Sequence, residues 1–160
     1  MSNQVIDWLE SQQDNMLDLL GELVNIDSNS FDKAGVDRVA NRLAEFFDAQ
    51  SIPYETIPIT THGDAMRAVV AGGNGNRPIL LCGHRDTVFP TGEVEKRPFR
   101  IENGRAYGPG VADMKPGLVI NAFILAAFQK FGGHPNPLVG LFTGDEEIGS
   151  PTSQDVIITE

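Results

Sequence analysis

The sequence is poor in cysteine and in positive charge. Its 160 residues include a single cysteine, Cys82. A lone thiol forms no internal disulfide and builds no cysteine-based metal site. Lys and Arg number 12 against 22 Asp and Glu, a net charge of -10. Such a chain repels a phosphate backbone or an anionic membrane surface. No apolar run has the length of a bilayer. No basic stretch followed by an apolar one opens the chain, so no export signal is read. Repeats and low-complexity tracts are also missing. These gaps exclude nucleic-acid binders, membrane proteins and disulfide scaffolds, and the expected location is cytoplasmic. What is present, 41% apolar and 21% charged residues, is the balance of one soluble globular domain.

Hydrophobic spacing predicts a helix over residues 4–26, through Val5, Leu9, Met16, Leu20 and Leu23, and another over 36–47 opened by Asp32 or Gly35. Strands are expected at 53–60 and 65–71, followed by a turn cluster at 71–77. Residues 78–82 form a short continuous apolar run, which suits a strand buried on both faces. Residues 99–107 read as a hairpin turning at Asn103-Gly104. A third helix fits 115–131, ended by Gly132-Gly133, and 138–142 form a second buried-strand candidate. This is an α/β pattern, a mixed sheet flanked by helices. In such sheets ligands gather beyond the carboxyl ends of the strands.

Three polar clusters lie at those ends. After Cys82 comes Gly-His84-Arg-Asp86-Thr-Val; after Phe142 comes Thr-Gly-Asp-Glu146-Glu147-Ile-Gly; before the third helix lies Gly108-Pro-Gly-Val-Ala-Asp113-Met-Lys. In an extended chain His84 and Asp86 share a face. Asp86 then fixes one ring nitrogen and leaves the other to a metal. Taken alone, Asp113 reads as a helix-capping acid, and Glu146-Glu147 as solvated loop charge. In an extended chain that pair points two ways, one carboxylate to a metal and one to a substrate as general base. Taken together, an imidazole and several carboxylates at three strand ends suit zinc, with cobalt or manganese as alternatives.

In their order, Leu-Cys-Gly-His84-Arg-Asp86-Thr-Val-Phe, Tyr107-Gly-Pro-Gly-Val-Ala-Asp113-Met-Lys and Phe142-Thr-Gly-Asp-Glu146-Glu147-Ile-Gly-Ser resemble the motifs of the co-catalytic zinc peptidases. That family includes carboxypeptidase G (glutamate carboxypeptidase), aminoacylase, acetylornithine deacetylase and succinyl-diaminopimelate desuccinylase. The opening Leu23-Val-Asn-Ile-Asp-Ser-Asn-Ser and Gly35-Val-Asp-Arg-Val-Ala resemble the glutamate carboxypeptidase branch. The resemblance implies that His84 binds a first zinc and Asp86 orients it. It implies that Asp113 bridges two zinc ions through a residue whose bond to Met114 is cis, that Glu146 is the general base and that Glu147 binds the second zinc. It also implies a zinc-exopeptidase catalytic domain with an inserted lid domain through which members homodimerise. The substrate would be a small peptide or N-acyl amino acid, cleaved at an amide beside a free carboxylate.

The chain departs from this family in two ways. Members are much longer, with a further acidic ligand, the lid domain and a late histidine beyond the Glu-Glu pair. Residues 1–160 are therefore expected to be the N-terminal part of the catalytic domain, truncated before the lid, with an unpaired sheet edge. Each metal keeps two of its protein ligands, and His62 and His134 fit no ligand position. Pro116 also stands where the family has glycine. The competing reading is a non-catalytic remnant that binds metal weakly. A dinucleotide site fails because Asp113 occupies the third glycine position, and a kinase fails for want of its glycine-rich loop, Asp-Phe-Gly and catalytic asparagine.

Overall fold

The computed structural model describes residues 2–75, 77–132 and 134–160. Gly133 of the expected helix stop and Asn76 of the turn cluster lie outside the described residues. The chain runs α1 (Ser2–Glu10), α2 (Gln13–Val24), α3 (Lys33–Ala49), β1 (Tyr54–Ile57), β2 (Ala65–Val70), β3 (Ile79–His84), α4 (Glu93–Lys96), β4 (Arg100–Glu102), β5 (Arg105–Tyr107), α5 (Lys115–Phe131), β6 (Leu138–Thr143), a 3-10 turn (Glu146–Ile148) and α6 (Gln154–Thr159). The fold is α/β with a mixed sheet, as expected.

The single helix expected over 4–26 is two. The break falls at Ser11-Gln12, where a serine hydroxyl offers the preceding helix's backbone a partner that competes with its continuation. Ser11 Oγ donates to Trp8 O at 2.7 Å, and Asn15 Nδ2 donates to Gln12 Oε1 at 2.8 Å. The break lets α1 lay Trp8 on Phe123 and Phe131 of α5, while α2 buries Leu19, Leu20, Leu23 and Val24. Asp32 caps α3, accepting from the Gly35 amide at 3.0 Å. The hairpin turn is as expected: Asn103 and Gly104 both have positive φ, 52° and 73°, the twist that a two-residue hairpin requires.

The four-stranded sheet has the order β1-β2-β6-β3. β1, β2 and β6 pair antiparallel, whereas β3 and β6 pair parallel, from Ile79 opposite Leu138 to His84 opposite Thr143. A parallel pair needs a long crossover, and α4, the β4-β5 hairpin and α5 supply it. One face of the sheet carries α5 and α3; Phe47 of α3 lies 5.8 Å, centroid to centroid, from Phe142 of β6. On the other face Glu160, which follows α6, pairs with Arg67 of β2. Every residue of β6 is buried.

One expectation fails here. The run at 78–82 is not a strand buried on both faces. β3 is the sheet's edge among the described residues, with Ile79 48% and Leu80 38% exposed. An apolar run says that a strand is compatible with burial, not that neighbours exist to bury it. The strand also extends two residues further than expected, so that His84 is its last residue.

Candidate metal centre

The parallel pairing of β3 with β6 delivers both strands' carboxyl ends to the same side. The loop between α2 and α3 joins them there. Asn29 forms a bridge with Thr87, and the Thr87 amide donates to Ser28 O at 2.8 Å. This contact brings Ser30 to Asp86, whose Oδ2 accepts from Ser30 Oγ at 2.7 Å. Asp86 is fully buried, and its carboxylate has further partners. Oδ1 accepts from the Glu146 amide at 3.2 Å, and Oδ2 from the Glu147 amide at 3.1 Å. One buried carboxylate therefore ties the first strand end to the second. Burial opposes its ionisation, but the bonds from His84, Ser30 and Glu147 hold it below the usual carboxylate range.

His84 is 5% exposed. Its Nδ1 lies 3.0 Å from Asp86 O and 3.3 Å from Asp86 Oδ1. Asp86 thus holds the ring through its backbone oxygen as well as its carboxylate. Nε2 points the other way, 3.0 Å from Asp113 Oδ1 and 3.5 Å from Glu146 Oε2. Burial disfavours the imidazolium, but the hydrogen bonds and charge of Asp86, with Asp113, outweigh it and raise His84 to about 9. A bound cation would compete with that proton for the Nε2 lone pair.

Asp113 does not cap α5. The helix begins after Met114, which makes no side-chain cap, with Pro116 in its first turn. Asp113 instead turns its largely exposed carboxylate to His84, and its peptide bond to Met114 is cis. Lys115 anchors this turn: its buried Nζ donates to the carbonyls of Leu23 and Ile26, both at 2.8 Å. A cation at the carboxyl end of α2 also meets the negative end of that helix. Burial pulls its pKa down to about 8, against the charge of Asp27.

Glu146 and Glu147 do not meet the condition of an extended chain but form a 3-10 turn. Their amides converge on Asp86, and that convergence curls the chain. Both carboxylates consequently face the site. One ligand atom each from His84, Asp113 and Glu147 lie within 4.8 Å of one another. Burial raises the Glu147 pKa; His84 opposes this, while Asp113, Asp86 and Glu146 reinforce it. His62 and His134 stay apart from this cluster. The first contacts Thr61 and Phe31, the second Asn136 and Phe128.

Sequence reading missed four supporting residues: Ser30, Arg85, Lys115 and Asp145. Arg85 is fully buried and donates to the carbonyls of Thr143, Val36 and Asp64. Asp145 accepts from the Thr152 amide and hydroxyl, both at 2.7 Å, and from Ser153. Arg85 and Asp145 sit inside the motifs, where a charge next to an apolar strand signals a buried partner. No such signal marks Ser30, 56 residues from Asp86.

Several known proteins are similar to this chain. Carboxypeptidase G2 of Pseudomonas sp. (strain RS-16) is 31% identical over 153 residues, covering 93% of this chain and 36% of that protein. Succinyl-diaminopimelate desuccinylase of Thioalkalivibrio sulfidiphilus (strain HL-EbGR7) is 35% identical over 141 residues, covering 82% of this chain and 35% of the relative. The chain thus spans just over a third of the length of these curated relatives. Human carnosine dipeptidase 1 shares the fold, with a TM-score of 0.83 at 17% identity, over 100% of this chain and 38% of that one. The model of peptidase family M20/M25/M40 matches residues 80–159, which is half of this chain and contains His84, Asp86, Asp113, Glu146 and Glu147. This chain belongs to peptidase family M20/M25/M40.

Proposed function

We propose that this chain is the N-terminal part of a metal-dependent catalytic domain that hydrolyses amide bonds in small peptides or N-acyl amino acids. The observation that carries this reading is the convergence of His84, Asp113 and Glu147 from three separate segments, within a peptidase family. A carboxypeptidase and a desuccinylase among the relatives support amide chemistry.

The donor set fits a divalent cation. Nitrogen and carboxylate oxygen without thiolate suit zinc, with cobalt or manganese as substitutes. Burial first, and then the neighbouring carboxylates, raise the Glu147 pKa; bound cations offset the repulsion among those carboxylates. His84 and Asp113 would hold one zinc, and Asp113 and Glu147 a second. Zinc in such a site supplies Lewis acidity and lowers the pKa of water toward about 7.

The chain's own residues have separable roles in this scheme. Asp86 orients His84 by holding Nδ1, which keeps Nε2 directed at Asp113. Through the Glu146 and Glu147 amides it also sets the turn that carries both carboxylates. Glu146, 56% exposed at its side chain and 3.5 Å from His84 Nε2, is the general base. Its carboxylate takes a proton from the attacking water and passes it to the leaving amine nitrogen.

The test is bound zinc per chain by elemental analysis, beside His84→Ala. Zinc bound by the wild-type chain and reduced in His84→Ala is expected, since His84 would be a ligand of one of the two ions. Hydrolysis of C-terminal glutamyl and N-acyl substrates should then fall by about 10²–10⁴ in Glu146→Ala. A wild-type chain with no more zinc than His84→Ala, or a rate indifferent to Glu146→Ala, overturns the proposal.

A further inference from the structure

A cavity of about 320 Å³ adjoins the candidate metal ligands. Val88 and Phe89, just after the β3 loop, line one part of it; Val111 and Ala112, just before Asp113, line another. Asp113 and Glu147 also line it, so a molecule seated there reaches both candidate ligands. The volume lies at the lower end of the range of small-molecule sites.

Its walls are preformed. Asn29 Nδ2 donates to Phe89 O at 3.1 Å, and the Arg97 guanidinium lies 5.0 Å from the Phe89 ring centroid. Opposite, the Val111 amide donates to Gly108 O at 3.2 Å and the Lys115 amide to Gly110 O at 3.0 Å. Gly110 has φ +75°, and a Cβ there would lie 2.8 Å from Thr87 Cγ2, so the turn is pressed against the loop behind it. Val88 is nevertheless 61% exposed, an apolar side chain held in the open beside a polar centre.

The lining also has a sign. Asp113 and Glu147 are its charged members, and no basic side chain lines it among the described residues. A substrate carboxylate seated away from those two candidate ligands would lose water against Val88, Phe89, Val111 and Ala112 and meet no basic side chain of the lining. An apolar group would cover Val88 and Val111 at no such cost.

We infer that this cavity is a specificity subsite for an uncharged, apolar group of the substrate: an aromatic or branched aliphatic side chain or acyl group beside the scissile amide. The inference rests on the hydrolase reading above and narrows its substrate class, because the substrate's free carboxylate must then bind elsewhere. Val88 is the residue that sets the preference.

The test measures binding by calorimetry on zinc-supplemented protein, with two probe pairs. N-acetylphenylalanine is compared with N-acetylglutamate, and N-benzoylglycine with N-succinylglycine. In at least one pair the apolar member should bind about tenfold or more tightly than the acidic one, the scale of discrimination in apolar pockets. Val88→Trp should fill the cavity and remove that advantage, and Val88→Lys should narrow it by improving the acidic probe. Both variants alter an exposed side chain, so folding and zinc content should stay at the wild-type level. Equal or tighter binding of both acidic probes, no measurable binding of either apolar probe, or a preference indifferent to both variants overturns the inference. Zinc content of the same samples separates the two readings. Zinc bound without an apolar preference defeats the subsite alone, whereas an apolar preference lost in Val88→Trp without zinc defeats the metal reading alone.

Discussion

Strands β6 and β3 lie side by side and parallel, yet β6 is buried at every residue while β3 leaves Ile79 and Leu80 open. Both are short apolar runs that lead into a polar cluster. The difference is their place in the sheet: β6 has β2 on one side and β3 on the other, whereas among the described residues β3 pairs with β6 alone. Burial in β3 rises along the strand, from exposed Ile79 to buried Gly83 and His84. The site is therefore held where the two strands end, by Asp86, Arg85 and the α2–α3 loop, and not by burial along β3.

This comparison can be broken in several ways. Phe142→Ala in β6 should cost about 3–5 kcal/mol, the usual loss for a buried aromatic. Leu80→Ala in β3 should cost less than about 1 kcal/mol, because the side chain is already partly solvated. Urea denaturation of the two variants measures both, and equal losses would erase the distinction between centre and edge. Arg85→Met tests the end of β3 instead. It strands the carbonyls of Thr143, Val36 and Asp64, so a loss of about 1–3 kcal/mol is expected. A loss as small as that of Leu80→Ala would show the strand's end to be as dispensable as its start.

Leu80→Lys should leave stability within about 0.5 kcal/mol, as for an ordinary surface change, and should reduce self-association in concentration-dependent light scattering. A charge on an apolar edge disfavours edge-to-edge pairing. A wild-type chain that scatters as a monomer at all concentrations would remove the basis for that expectation.

The smallest effect concerns acid. Burial opposes ionisation of Asp64, but the bonds from Lys33 and the Ile59 amide, with the charges of Lys33 and Arg85, hold its pKa below the ordinary 3.8. A depressed carboxylate contributes stability that is present above the ordinary value and lost as pH falls through the lower folded one. Asp64→Asn should lower stability modestly at neutral pH and flatten the acid limb below about pH 4, so that the two chains converge in acid. A steeper acid limb in Asp64→Asn would reverse that sign.

Much of the fold was legible in residue patterns. The β3 and β6 runs, the Asn103-Gly104 turn and the α5 periodicity are local signals, and local backbone physics sets them. The helix break at Ser11-Gln12 was legible in principle, but the apolar positions on both sides keep one helical phase and mask it. The motif residues stood out because charge beside a buried strand is rare without a reason. Ser30, Lys115 and the curl of Glu146-Glu147 were not legible. Each depends on a partner far along the chain, and nothing in a serine or a lysine marks which distant carboxylate or carbonyl it will meet.

The sequence by itself determined the element types, the three polar clusters at strand ends and the chemistry of their side chains, because helix and strand periods and donor types are properties of neighbouring residues. Only the tertiary structure decided which of two similar apolar strands lies at the centre, that Asp86 binds both strand ends together, and that Val88 stands open beside the carboxylates. Those outcomes depend on sheet order and on contacts between distant segments, where packing and the satisfaction of buried polar groups choose among arrangements that local preference leaves equal.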